Sequence, residues 1–223
     1  MRFRLVLLGA VATIAATIPA QSEHSKGWYV GIEGGANWVQ DWQYKVLQSP
    51  STTIEITFDS DTGWAGFATV GYGFENHWRF EFEAGYRSNK FTDVHVDIFD
   101  AGALAASADQ NTYDLDLNEW TMMANALYDI DFGEKVSLSV GAGVGIDRTD
   151  LVVGPPRDDE WNFALQGVAG LNYSIGSGAA LYLNYRYLEV TGVDIPEATA
   201  PGALIEHEDL RNHSVTFGLR YEL

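Results

Sequence analysis

Hydrophobic and polar residues alternate along most of this chain. In WRFEFEAGYR, Trp78, Phe80, Phe82, Ala84 and Tyr86 share one parity, and Arg79, Glu81, Glu83, Gly85 and Arg87 share the other. Successive side chains of a strand point to opposite faces. The segment therefore reads as a strand with one apolar, aromatic face and one charged face. WYVGIEGGANW sets Trp28, Val30, Ile32, Ala36 and Trp38 against Glu33 and Asn37. GWAGFATVGYGF aligns Trp64, Ala68, Val70, Tyr72 and Phe74, with Phe67 breaking the parity. NEWTMMANALYDI sets Trp120, Met122, Ala124, Ala126, Tyr128 and Ile130 against Glu119, Thr121, Asn125 and Asp129.

VSLSVGAGVGID is the most regular segment, with Val136 to Ile146 on one parity and Ser, Gly and Asp147 on the other. WNFALQGVAGLNYSI aligns Trp161, Phe163, Leu165, Leu171, Tyr173 and Ile175 against Asn162, Gln166 and Asn172. AALYLNYRYL aligns Leu181, Leu183, Tyr185 and Tyr187 against Tyr182, Asn184 and Arg186. HSVTFGLRYEL aligns Val215, Phe217, Leu219, Tyr221 and Leu223 against Ser214, Thr216, Arg220 and Glu222. These make eight strands of roughly 10–14 residues, where a membrane-spanning strand needs about 9–11. Short turns at Glu75–His77, Asp131–Lys135 and Gly176–Gly178 alternate with long segments near 40–62, 88–117, 148–160 and 189–212. Short turns at one end and long loops at the other fit an outer-membrane barrel.

The chain opens with Arg2 and Arg4, an apolar run from Leu5 to Ile18, and Pro19-Ala20. That pattern predicts a secretory signal peptide over residues 1–20 and a barrel domain over 21–223. Removing Arg2 and Arg4 from the 13 basic residues leaves 11 against 31 acidic ones, a formal charge of −20. Nucleic acid is not expected as a partner. The chain has no cysteine, so no disulfide holds the exported domain together.

A water-soluble, lipocalin-like barrel would show the same alternation with the apolar face inside. Size favours the opposite orientation. An eight-stranded barrel leaves an interior just wide enough for side chains. Here the large residues hold the apolar parity, while Gly, Ala, Ser, Asn and Thr crowd the other. The expected architecture is all-β: an eight-stranded antiparallel up-and-down transmembrane barrel with Phe80 and Phe82 facing lipid. Trp28, Trp38, Tyr72, Trp78, Tyr86, Trp120, Tyr128, Trp161, Tyr173, Tyr185 and Tyr221 form the expected interfacial girdles. The inward charges are Glu33, Glu81, Glu83 and Glu119 with Arg79, Arg87, Arg186 and Arg220. Glu33, Glu81 and Glu83 are expected near mid-barrel, Arg79 and Arg220 toward the periplasm, and Arg87 and Arg186 toward the outside.

GWYVGIEGG, VGYGF, FEAGYR, TMMANALYD, VGAGVGI, LYLNYRYL and HSVTFGLRYEL, in that order, resemble the small outer-membrane β-barrel family of OmpA-like proteins and surface antigens of Gram-negative bacteria. The resemblance spans essentially all of residues 21–223. It implies an eight-stranded barrel with four exposed loops, seated in outer-membrane lipid after insertion by the barrel assembly machinery. Family members usually end in an aromatic residue, and this chain ends in Leu223. The peptidoglycan-binding domain of full OmpA proteins has no counterpart here, so no cell-wall tether is implied.

Charges confined in a lumen are tolerated when paired or hydrated. They imply a salt-bridged, closed plug with a structural or surface role. A narrow porin-like channel, in which an arginine exchanges carboxylate partners, is the sharper alternative. The long segments carry about twenty Asp and Glu, expected as a solvated surface that leaves room for divalent cations or an extracellular ligand of unspecified identity. FDSDTG matches only half of a calcium loop, and the Ala- and Gly-containing pieces DAGALAASAD and ATAPGALIE read as mobile. A lipid A-modifying enzyme would need a nucleophile, a base and an orienting carboxylate on one face. His24 falls in the N-terminal segment, His77 in a periplasmic turn, His95 and His207 in loops, and His213 is offset in parity from Ser214. No catalytic residue, metal ligand or cofactor is assigned.

Overall fold

The computed structural model describes residues 26–40, 42–47, 49, 51–110, 115–151, 161–191, 204–207 and 209–223. The segment expected to be a signal peptide lies outside the described residues. The strands are β1 (Gly27–Val39), β2 (Trp42–Leu47), β3 (Thr52–Ser60), β4 (Gly63–Gly73), β5 (Trp78–Asp100), β6 (Ala103–Gln110), β7 (Leu115–Asp131), β8 (Val136–Leu151), β9 (Asn162–Gly176), β10 (Ala179–Thr191), β11 (Leu204–His207) and β12 (Leu210–Glu222).

Eight of them close a wall in which β1, β4, β5, β7, β8, β9, β10 and β12 are paired antiparallel in that order, and β12 returns to β1. Closure leaves no sheet edge in the wall, the condition for crossing hydrocarbon with strands. The short turns fall where the alternation pauses. His77, Gly133, Gly176, Ser177 and Gly178 take the left-handed φ that tight reversals require.

The wall keeps the parity of the sequence. Phe82 and Ile32 point outward and are 71% and 67% exposed, whereas Glu83 and Glu33 point inward and are buried. Aromatic rings gather in two outward belts. Trp28 stacks edge-on against Tyr72, which leads to Phe74 and Phe80, and Trp78 meets Tyr128. At the other end Trp64, Tyr86 and Trp120 are in series, and Trp38, Tyr185 and Tyr187 surround His213.

Above the second belt the polarity of the wall reverses. Val39, Phe91, Leu117, Leu188, Val190 and Leu210 carry the inward parity and form an apolar cluster filling the outer mouth. Their outward neighbours are charged and paired: Lys90 with Asp116 at 3.8 Å, Arg148 with Asp150 at 3.6 Å, and Arg211 with Glu189 at 3.7 Å. Water surrounds the wall beyond the membrane, so apolar side chains turn inward as in a soluble barrel.

Two of the long segments expected as loops are strands. β11, β2, β3, the outer half of β5, and β6 form an antiparallel sheet rising from the mouth. TTIEITFDS and DVHVDIFD alternate as cleanly as the wall, with β-branched residues suited to strands. DAGALAASAD, expected as a mobile piece, likewise holds a hairpin turn and a strand rather than an irregular loop. Ala101 and Gly102, at φ 51° and 81°, make a two-residue hairpin turn of the kind that matches strand twist, and β6 follows. Most of ATAPGALIE lies outside the described residues, although Leu204–His207 pairs with β2.

Candidate functional site

Glu33, Glu83, Glu119, Arg79, Arg87 and Arg186 are buried inside the wall, and Glu81 and Arg220 are half-buried there. Arg186 is fully buried and gathers three strands. Its Nη1 donates to Glu33 Oε2 at 2.8 Å and to Thr216 Oγ1 at 3.1 Å, and its Nη2 bonds Glu33 Oε1. Nε and Nη2 donate to Glu83 Oε2 at 3.1 and 2.9 Å. The guanidinium lies over the Phe67 ring at 4.4 Å, and Arg87 lies over the same ring at 4.9 Å. The residue that breaks the β4 alternation is thus an aromatic floor for two buried cations. Although Arg186 is in register with Ser214, its head reaches down to Glu33, so it works at mid-barrel rather than toward the outside.

Arg79 organises the periplasmic half. Its Nη1 donates to Glu81 at 3.1 Å, Nη2 donates to Ser139 at 2.8 Å, and Nε lies 2.8 Å from Asp129. Arg79 and Arg220 both lie over the Tyr29 ring, at 5.5 and 5.4 Å. In the outer half Arg87 donates to Thr121 at 3.1 Å and faces Glu119 across β5 and β7. Glu119 accepts from Asn212 at 2.7 Å, and Asn212 belongs to an amide ladder with Asn37 and Asn89.

Asp129 and Asp147 add to the eight inward charges expected from the sequence. Both stand on the polar parity of their strands and both are buried. The described lumen therefore holds six carboxylates against four arginines rather than a balanced set. The void between Tyr29, Glu33, Arg79, Tyr182 and Arg220 is about 20 Å³, room for a single water. Gly218 makes space for Tyr182, since a Cβ there would lie 2.6 Å from the ring's Cζ and 2.5 Å from the Ile32 carbonyl oxygen.

The girdle residues all take the outward parity, with Trp38, Tyr72 and Tyr86 half-buried by neighbouring rings and the others exposed. His213 points outward and accepts or donates a 2.8 Å bond with Tyr185 Oη, while Ser214 points inward to Asn37. His77 lies 3.4 Å from Asp131 in a periplasmic turn. His24 and the side chain of His207 lie outside the described residues. So do Asp158, Asp159, Glu160 and Glu208, and the side chains of Asp59 and Glu206.

Among the described histidines, His95 has the most polar company. On the rising sheet its Nδ1 bonds Asp109 Oδ1, its Nε2 lies 3.2 Å from Asp97, and Ser107 Oγ lies 3.5 Å from Nε2. Hydroxyl, imidazole and carboxylate are thus neighbours, as a hydrolase would require. However, Asp97 competes for the same nitrogen, and the group lies on an open strand face, without the excluded site that lends an oxyanion hole its strength. Among the described residues, no three histidine or carboxylate groups are arranged to hold a metal ion.

A closed wall that is apolar outward between two aromatic belts, and ionic within, defines a membrane-spanning barrel. The comparisons agree. Residues 8–222 match the family model described as the outer membrane protein beta-barrel domain, and the chain belongs to that family. An outer membrane protein of Gluconacetobacter diazotrophicus is 29% identical over 251 aligned residues, covering 99% of this chain and 64% of the relative. The chain thus spans just under two thirds of that relative's length. An uncharacterized protein of Brucella abortus is 25% identical, with 88% of this chain and 84% of the relative covered. Two solved structures share the fold. OprG of Pseudomonas aeruginosa has a TM-score of 0.55 at 16% identity, covering 91% of this chain and 100% of its own. Neisserial surface protein A has a TM-score of 0.53 at 17% identity, covering 88% and 97%.

Proposed function

We propose that the protein is a sealed barrel of the bacterial outer membrane, exported by a cleaved signal peptide over residues 1–20, that carries an ordered surface sheet rather than a conduit. The observation that carries this reading is the apolar cluster of Phe91, Leu117, Leu188 and Val190, which are fully buried across the outer mouth above the Arg186 network. An ion crossing there would have to leave water among hydrocarbon side chains, which is strongly unfavourable. Lipid surrounds the belts, the barrel assembly machinery inserts the chain, and any extracellular ligand meets the rising sheet first. No catalytic role is assigned. Recording purified protein in planar bilayers tests the closed lumen. Long silent traces are expected. Frequent large openings would overturn the sealed reading in favour of a narrow channel for small solutes.

A further inference from the structure

The rising sheet has two unlike faces. Ile54, Ile56, Val94, Val96 and Ile98 take one parity. On the other, Thr57, His95 and Asp109 lie in one row across β3, β5 and β6, and Glu55, Asp97 and Ser107 lie in the next. Asp59 and Asp93 pair in the row below. The cationic groups among the described side chains of this sheet are Lys45 and His95. Lys45 is 2.9 Å from Glu55, which leaves His95 to face Asp97 and Asp109.

β6 depends on that contact. It pairs with β5 alone among the described strands, and its sequence ALAASADQ offers small side chains with little to bury. The described residues Ala103–Asp109 are all exposed. Among the described residues, the side-chain hydrogen bonds between β6 and β5 are the two made by His95, to Asp109 and to Ser107. An edge strand held so lightly opens with a small free-energy change.

We propose that His95 is an acid-dependent clasp: protonated, it bridges Asp97 on β5 and Asp109 on β6 and pins the edge strand, and neutral, it releases β6. An imidazolium donates from both nitrogens, which matches a carboxylate on each side. Neutral imidazole donates from only one, and Asp97 and Asp109, diagonal neighbours on β5 and β6, then repel. The hydrogen bond that His95 makes to Asp109 is the largest influence on its pKa; burial opposes it, the charges of Asp97 and Asp109 reinforce it, and the net shift is above the ordinary value. A pKa that is higher in the clasped form than in the free strand means stability fully present below the free value and lost as pH rises through the clasped one. The device therefore closes in mild acid and opens through neutral to alkaline pH. It is independent of whether the lumen conducts.

The test is hydrogen exchange of the β6 amides in the full chain, refolded into nanodiscs, at about pH 5.5 and about pH 8.5, the range over which imidazole titrates. Rates are expressed as protection factors to remove the intrinsic pH effect. Protection in β6 should be roughly threefold or more higher in acid, as expected for a pair of exposed ionic contacts. β7 and β8 should not change. His95→Gln and Asp109→Asn should remove the difference while keeping the heat-dependent gel shift of a folded barrel. Equal protection at both pH values in the wild type, or a difference that survives in His95→Gln, overturns the clasp. An NMR titration of His95 in the wild type is a second arm. A midpoint above the ordinary imidazole value near 6.5 is expected, and one at or below it refutes the proposal.

Discussion

Replacing Arg186 with methionine takes away one cation and strands two carboxylates. Glu33 loses its Nη1 and Nη2 donors, and Glu83 loses Nε and Nη2. Glu33 retains Thr216 and Asn184, and Glu83 retains Gln166 at 3.1 Å and Asn125 at 3.5 Å. Breaking a buried ion pair from one side costs about 3–5 kcal/mol, because the partner charge remains desolvated. The contact with Phe67 adds about 1 kcal/mol. Arg186→Met should therefore lower the unfolding free energy by about 5 kcal/mol, read from urea titrations of protein folded in phospholipid vesicles. Arg186→Lys keeps the charge but cannot fork to two carboxylates, and should recover only part of the loss. Adding Glu33→Gln and Glu83→Gln to Arg186→Met should return most of it, since the penalty resides in the orphaned charges. A cost under about 1 kcal/mol for Arg186→Met, or a triple variant no more stable than the single one, refutes the argument that this network is a dry, closed plug.

Two further substitutions test other parts of the architecture. Phe82→Arg places a charge at mid-height on the lipid face and should cost about 2–4 kcal/mol in the same titration; a neutral result would turn the barrel inside out. Ala101→Asn puts a residue tolerant of left-handed φ into the β5–β6 hairpin, and should gain about 1 kcal/mol locally, seen as slower exchange of the β6 amides at both pH values. Unchanged exchange would remove the turn as a determinant of the edge.

Parity made the wall legible. In Trp78–Arg87 or Val136–Asp147 every second residue is apolar, and size then assigned the bulky set to lipid because an eight-stranded interior has no room for it. The lumen was legible in part. Asp129 and Asp147 stand on the polar parity of their strands, so their inward placement follows from the same alternation. Phe67 breaks the parity of its strand, and strand patterning carries no information about the cations that β10 and β5 deliver to its ring. The rising sheet was hidden by its own charge. Asp93, Asp97 and Asp100 suggested loop, although Val94, Val96 and Ile98 alternate between them. Contacts such as His95 with Asp109 depend on the register of β5 against β6, which the Ala101–Gly102 turn sets and periodicity does not.

One alternation serves two solvents in this chain, and the change of solvent can be located. On β10, Tyr185 faces outward at the upper belt, and Arg186 is the last inward charge; from Leu188 onward the inward positions are apolar, and Glu189 faces out. β5 switches between Arg87 and Phe91, β7 between Glu119 and Leu117, and β12 between Asn212 and Leu210. The four switches occur at the level of Tyr86, Trp120, Tyr185 and His213, which marks the outer lipid boundary on independent strands. Below it, hydrocarbon outside allows the barrel to spend its interior on ions; above it, water outside requires an apolar interior. The collar therefore has its own small core, anchored to the membrane barrel by continuous strands. Such a core can hold the base of the rising sheet in register while the edge strand β6 opens and closes, because the wall strands keep both neighbours whatever the edge does.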